Sequence, residues 1–252
     1  MSELNRPSAL ELFSDRTVEY ANFRSDYPSA AIDEILAGLG VANQLKIADV
    51  GAGTGIAARQ FAYRGAKVIA IEPNESMRKA ATAHRLVEWS DGRAEATGLI
   101  ENVVDLVSCF SSFHWFNSAA TLSEFHRILK PSGRLAVVFN QWSDEDGLSQ
   151  NYAAIVENGS QYCQQVIDRL EVKSIEESAL FSQVRHREFP HYQRLDRSGL
   201  ISLARSQGYL WLSGPKYEEF LVNLERLYQD WAREDGTVTL VYKTRVYLAE
   251  TV

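Results

Sequence analysis

Two acids stand at the ends of two apolar runs, on either side of three alternating glycines. Asp49 lies in Ile47-Ala48-Asp49-Val50, which runs into Gly51, Gly53 and Gly55, and Glu72 closes Val68-Ile69-Ala70-Ile71 seventeen positions further on. The first run reads as a buried strand entering a tight turn, with a helix opening near Ile56. Glycine makes the unusual φ/ψ of such a turn cheap, and its missing Cβ lets backbone approach a ligand. A strand, a glycine turn and a helix N-terminus together make a site for a nucleotide-like ligand. An acid at the tip of the next strand is where ribose hydroxyls are met in doubly wound sheets. A third candidate is His114, in Phe113-His114-Trp115-Phe116 after a later apolar run.

These residues need a scaffold, and the hydrophobic pattern supplies one. Ile32, Ile35, Leu36 and Leu39 recur at helical spacing over 29–39, with Gly38 and Gly40 at the end. Strands are predicted at 47–50, 67–72, 87–89, 103–110 and 135–139, and helices at 56–63, from Pro73-Asn74 with Met77 in the first turn, and through Leu122, Phe125 and Leu129 up to Pro131-Ser132-Gly133. Strands alternating with helices at this spacing imply parallel βαβ units in a doubly wound α/β sheet. Residues 144–182 read as helical and polar, followed by a strand at 186–195, a helix at 200–206, an amphipathic helix from Pro215 and a last strand at 237–248. The expected architecture is a mostly parallel seven-stranded sheet with helices on both faces and a helical cap. The expected organisation is one domain over 1–252, its core about 40–140 plus 186–252, its cap from about 1–30 and 144–182.

The chain has 252 residues, 45% hydrophobic and 23% charged, enough to bury a full core. A net charge of −7 and the absence of a Lys/Arg run argue against a nucleic-acid surface. No segment approaches the roughly 18 apolar residues of a membrane helix, and the first residues lack the regions of a signal peptide. Cys109 and Cys163 are far apart and match no metal or redox spacing, so free thiols, a cytoplasmic setting and no metal are expected.

Taken in order, the motifs resemble the class I S-adenosylmethionine-dependent methyltransferases, in particular the small-molecule branch of methyltransferase type 11, trans-aconitate methyltransferase-like and ubiquinone/menaquinone-biosynthesis-type enzymes. The resemblance rests on Asp49 to Gly55, Ile71-Glu72-Pro73-Asn74 with Met77, Ala94-Glu95, Val104-Asp105-Leu106-Val107, Phe113 to Phe116 and Leu129 to Leu135. It implies S-adenosylmethionine as cofactor and S-adenosylhomocysteine as product. Asp49 and the turn Gly51, Gly53, Gly55 would hold the methionine amino group; Glu72 would accept the ribose hydroxyls; Asn74 and Met77 would flank the adenine; Ala94 and Glu95 would contact its polar edge. Relatives often place an aspartate directly before that Ala-Glu pair. This chain has Arg93, which leaves Glu95 and Asp91 as candidates for the adenine amino group. Tyr20 and Arg24 match an N-terminal aromatic-and-arginine motif, although Ser25 stands where relatives usually have proline.

Gly53-Thr54-Gly55-Ile56-Ala57-Ala58 also satisfies a GxGxxA dinucleotide pattern, and Glu72 would serve an NAD ribose equally well. Asp49 two residues before the first glycine, about 45 residues of lead-in and the His-Trp-Phe cluster favour the sulfonium cofactor. A nicotinamide oxidoreductase and a non-catalytic cofactor-binding protein are the alternatives. Methyl transfer is an in-line displacement, so alignment and exclusion of water come first. His114 is the candidate general base for a phenol, alcohol or carbon acid, or else a structural histidine. Tyr20, Arg24, Trp115, Trp142 and Tyr209 are the candidates for binding a small organic acceptor. The expected state is a monomer or homodimer.

Overall fold

The structure, a computed structural model, describes residues 17–116, 118–160, 172–207, 210 and 213–252. Cys163 and Tyr209 fall outside them. The chain divides into two compact units. A sheet unit holds 26–141, 169–190 and 243–252, and a helical unit holds 1–25, 142–168 and 191–242.

In the sheet unit, helix α2 (Ser29–Leu36) leads into β1 (Lys46–Val50), followed by α3 (Ile56–Tyr63), β2 (Lys67–Ile71), α4 (Glu75–Lys79), β3 (Val87–Ser90) and β4 (Val104–Phe110). Helix α5 (Ser118–Ile128) precedes β5 (Leu129–Trp142), and α7 (Lys173–Glu176) precedes β6 (Phe181–Leu195); β7 is Val238–Thr251. The seven strands lie in the order β3-β2-β1-β4-β5-β7-β6. Strand β1 pairs in parallel with β2 and β4, β2 with β3, and β4 with β5. The sheet is mixed, mostly parallel with one antiparallel hairpin.

Helices cover both faces, because alternate residues of the buried central strands point opposite ways. Ile47, Val68, Leu106 and Val138 pack with Ile32 and Ile35 of α2 and Phe61 of α3. Ala48, Val107, Cys109 and Val137 pack with Leu122, Phe125 and Ile128 of α5. This is the doubly wound α/β sheet expected from the sequence. The order reverses between β1 and β4, and the carboxyl ends of strands at such a point form a ligand crevice.

Two boundaries differ from the sequence expectation. Helix α2 ends at Leu36 rather than Leu39, since Gly38 takes φ +83 and the Ala37 N–H closes on Asp33 and Glu34 oxygens. Strand β5 starts at Leu129 rather than Leu135. Leu129 pairs with Val104, the register then shifts, and pairing resumes with Arg134 against Leu106. Pro131-Ser132-Gly133 is the irregular piece, with Ser132 at φ +60.

The helical unit contains α1 (Thr17–Phe23), α6 (Gly147–Asn158), α8 (Arg197–Arg205) and α9 (Pro215–Trp231). Its core joins Leu148, Tyr152 and Val156 of α6 to Leu200 and Leu203 of α8 and to Phe220, Leu224 and Leu227 of α9. Pro215 starts α9 without losing a needed N–H, and its apolar residues recur every three or four positions. That shared core groups 191–242 with the segment after β5, whereas the sequence reading set 186–252 with the sheet. Within the stretch expected to be helical, α6 and α7 are found, and 161–171 lie outside the described residues. Among the described residues no helix is long and apolar enough to cross a membrane.

Candidate active site

The sheet unit gathers most of the expected site residues at the carboxyl ends of β1, β2 and β4. Asp49, in β1, is buried, and its Oδ1 accepts a hydrogen bond from Ser108 Oγ at 2.9 Å. The parallel register explains this partner, since Asp49 lies opposite Ser108 of β4. The other oxygen, Oδ2, is buried with no hydrogen-bond partner. Burial pushes the Asp49 carboxyl up to about 7; the Ser108 hydroxyl and the Ala58 N–H oppose this, and the Glu72 charge adds to it.

Gly51, Gly53 and Gly55 take φ of +68, +57 and +75, a left-handed path that side chains rarely adopt. A Cβ on Gly51 would come within 2.6 Å of Ser112 Cβ and 2.9 Å of the Phe116 ring. The first glycine therefore makes room for the protein's own turn after β4, and not only for a ligand. A Cβ on Gly55 would come within 2.9 Å of Trp89, at the end of β3. Thr54, between the glycines, is also buried, and its Oγ1 has no partner.

Glu72 follows β2 and is buried. Its Oε2 accepts the Gly53 N–H at 2.9 Å and its Oε1 the Asn74 N–H at 2.8 Å, so one carboxylate ties the glycine turn to the next loop. Burial raises the Glu72 carboxyl above its usual range, against those two amides and the Arg78 charge. Asn74 caps α4, its Oδ1 accepting from the Ser76 and Met77 N–H groups at 2.9 and 3.3 Å. Met77 is buried in that first turn. Arg93 and Ala96 exchange two backbone hydrogen bonds of 3.1 Å, which makes 93–96 a tight turn with Ala94 buried and Glu95 exposed. Glu95 Oε1 accepts from Thr121 Oγ1 at 3.4 Å, and Asp91 is exposed.

After β4 the chain turns sharply, with Ser111 at φ +50. Ser112 Oγ donates to the Val50 carbonyl at 2.8 Å and so locks this turn onto the end of β1. His114 is half-buried in a single 3-10 turn, its ring centroid 5.0 Å from that of Trp115 and 6.1 Å from that of Phe139.

Tyr20, Arg24 and Trp142 belong instead to the helical unit. Arg24 Nη2 donates to Gln207 Oε1 at 2.9 Å, and its guanidinium carbon lies 4.9 Å from the Tyr20 ring centroid. The Trp142 ring meets Tyr152 edge-on at 5.1 Å. Sequence reasoning missed Ser108, Ser112 and Trp89 as parts of the site. Their roles arise from strand register and from contacts across the turn, which no local motif carries.

The arrangement suits a ligand with a cation and hydroxyl groups. Two buried carboxyls flank a backbone turn, one with an unpaired oxygen. A cation beside Asp49 would offset the burial that lifts its pKa. The Glu72 oxygens, each with one amide, retain lone pairs for hydroxyl donors.

The family described as methyltransferase domain matches residues 48–137. An uncharacterised methyltransferase of Mycobacterium tuberculosis is 31% identical over 147 residues, 57% of this chain and 58% of that one. Malonyl-[acyl-carrier protein] O-methyltransferase 1 of Coxiella burnetii is 35% identical over 113 residues, 43% of this chain and 39% of that one. The chain spans little more than half the length of the first and less of the second. A solved structure from Anaeromyxobacter dehalogenans, described as a candidate type II methyltransferase, superposes with a TM-score of 0.60 at 18% identity, covering 90% of this chain and 97% of that one. The Haemonchus contortus phosphoethanolamine N-methyltransferase 2 gives a TM-score of 0.56 at 16% identity, covering 98% and 60%. Residues 48–137 are thus similar to the methyltransferase domain family, and the chain shares its Rossmann-like fold with solved methyltransferase structures.

Proposed function

We propose that this protein binds S-adenosylmethionine at the glycine turn between β1 and α3 and transfers its methyl group to a small organic acceptor. The observation that carries the reading is the pair Asp49 and Glu72, two buried carboxyls bracketing that turn, with Asp49 Oδ2 unpaired. When bound, the sulfonium supplies an electrophilic methyl group, and S-adenosylhomocysteine is left.

The chain's own residues then have positional work. Asp49 takes the ammonium group of the methionine part, and Gly51, Gly53 and Gly55 let the backbone follow it. Glu72 would accept hydrogen bonds from the ribose hydroxyls while its two amide contacts hold it still. Asn74 and Met77 flank the adenine, with Ala94 and Glu95 at its polar edge. Trp115 and Phe116 keep water from the reacting atoms, which an in-line displacement requires. His114 takes the proton when the acceptor is a hydroxyl. The O-methyltransferase name of the Coxiella relative supports an oxygen nucleophile. Tyr20, Arg24, Trp142 and Tyr209 bind the acceptor.

The test is incubation with methyl-labelled S-adenosylmethionine and a panel of carboxylic acids, phenols, alcohols and amines. Labelled product and S-adenosylhomocysteine should appear in equal amounts. Cofactor binding without label in any acceptor would favour a non-catalytic binding protein. On a phenol or alcohol acceptor, His114→Asn is expected to lower kcat by about a hundredfold or more with cofactor affinity kept. Unchanged turnover would assign His114 to packing alone.

A further inference from the structure

Asp49 and Glu72 are both buried carboxyls, and the protein solvates one of them far better than the other. Glu72 has a backbone amide on each oxygen, and the Arg78 guanidinium donates to its main-chain carbonyl at 2.6 Å. A negative charge at Glu72 is therefore met by two N–H dipoles and a nearby cation. At Asp49 the Ser108 hydroxyl and the Ala58 N–H favour the charged form, but Oδ2 is buried with no partner and the Glu72 charge opposes ionisation. A buried carboxylate without a cation gives up its charge by taking a proton.

Among the described residues, the elements packed around Asp49 do not supply that cation. Arg59 of α3 donates to the Thr54 carbonyl at 2.7 Å, and Lys46 and Lys67 stand at the opposite ends of β1 and β2. On β4, Asp105 lies towards that same far end, where it accepts the Lys46 N–H at 2.9 Å. Burial pushes the Cys109 thiol up, so it is uncharged too. His114, in the turn after β4, has its ring beside those of Trp115 and Phe139. The Asp49 carboxyl is accordingly lifted to about 7.

We propose that Asp49 exchanges its proton for the ammonium group of the ligand: the acid is neutral in the cofactor-free chain, and binding of S-adenosylmethionine or S-adenosylhomocysteine expels that proton to solvent. The inference rests on the methyltransferase reading, because that reading supplies the ammonium. Its consequence is selection by pH. In neutral or basic solution the carboxylate is ready for the ammonium, whereas in acid each ligand must first displace a proton and affinity falls. A nucleoside thioether without the amino-acid part has no ammonium to offer, and it escapes this penalty.

Calorimetric titration of the full chain with S-adenosylhomocysteine, in buffers of low and high ionisation enthalpy at pH 6, 7 and 8, counts the protons released. About one proton per ligand is expected at pH 6, about half at pH 7 and almost none at pH 8, with Kd about tenfold larger at pH 6 than at pH 8. 5′-Methylthioadenosine should bind with no proton release and with an affinity that does not fall towards pH 6. These readings need no variant. Asp49→Asn should release no proton, and its deficit in S-adenosylhomocysteine affinity relative to wild type should shrink by about tenfold from pH 8 to pH 6. Binding of S-adenosylhomocysteine without proton release, or the same release with 5′-methylthioadenosine, would overturn the exchange and leave the methyltransferase reading in place. Release that persists in Asp49→Asn and is lost in His114→Asn would overturn it as well, by assigning the proton to the imidazole. No binding of S-adenosylhomocysteine at any pH would remove the methyltransferase reading and the exchange with it.

Discussion

Asp49→Asn should stabilise the cofactor-free protein as pH rises while weakening its hold on the cofactor. In the folded chain the Asp49 carboxyl titrates at about 7, against an ordinary value of 3.8. Between those values the folded state holds a proton that the unfolded state has lost, so stability falls as pH rises and the loss is complete above about 7. The gap between those two values corresponds to about 4 kcal/mol. Asparagine has no such titration. The variant's stability relative to wild type should therefore rise by about 3 kcal/mol between pH 5 and pH 8, readable from urea unfolding at each pH. The amide can still accept from Ser108, and its buried NH2 carries a cost of about 1–3 kcal/mol that does not vary with pH. Parallel pH profiles for the two proteins would show that Asp49 is not the buried titrating group. Calorimetry should show S-adenosylhomocysteine binding weakened by about ten- to a hundredfold, the loss of one charge-assisted contact.

The second large effect is expected at Arg134, which does no chemistry. Its side chain is buried, Nη1 donates to the Ile35 and Ala37 carbonyls at 2.8 Å each, and Nε meets Glu250 Oε1 at 3.0 Å. One guanidinium thus satisfies the open end of α2 and ties it to β5 and β7. Arg134→Ala leaves the two carbonyls without this donor; Glu250 keeps Arg185 at 2.8 Å. A loss of about 3 kcal/mol is expected in urea unfolding. Arg134→Lys should recover only part of it, because an ammonium cannot reproduce the fork. A loss below about 1 kcal/mol for alanine would contradict this role.

The sheet was legible because its central strands are buried on both faces and read as short apolar runs, while Gly55, Gly65 and Gly133 punctuate them at βαβ spacing. The Asp49 and Glu72 positions followed from that pattern alone, and the family resemblance added the cofactor. Three things were not readable. The start of β5 depends on a register shift around Pro131-Ser132-Gly133, and local sequence shows only the turn. The Asp49 partner, Ser108, is set by parallel register 59 residues away. The grouping of 191–242 with α6 comes from Leu224 and Phe220 meeting Tyr152 and Leu148, a packing choice that helical periodicity announces without naming its partner.

The central claim is that the turn between Asp49 and Glu72 takes a sulfonium nucleoside rather than a nicotinamide dinucleotide. Calorimetric titration of wild type and Glu72→Gln with S-adenosylhomocysteine and NADH tests it most directly. Glutamine is chosen because it keeps an acceptor for the Gly53 or Asn74 amide, so the turn is disturbed less than by alanine. The account predicts that wild type binds S-adenosylhomocysteine and not NADH, and that Glu72→Gln binds it about tenfold more weakly or worse. NADH binding with no heat from S-adenosylhomocysteine would contradict it, leaving the fold in place and the chemistry overturned.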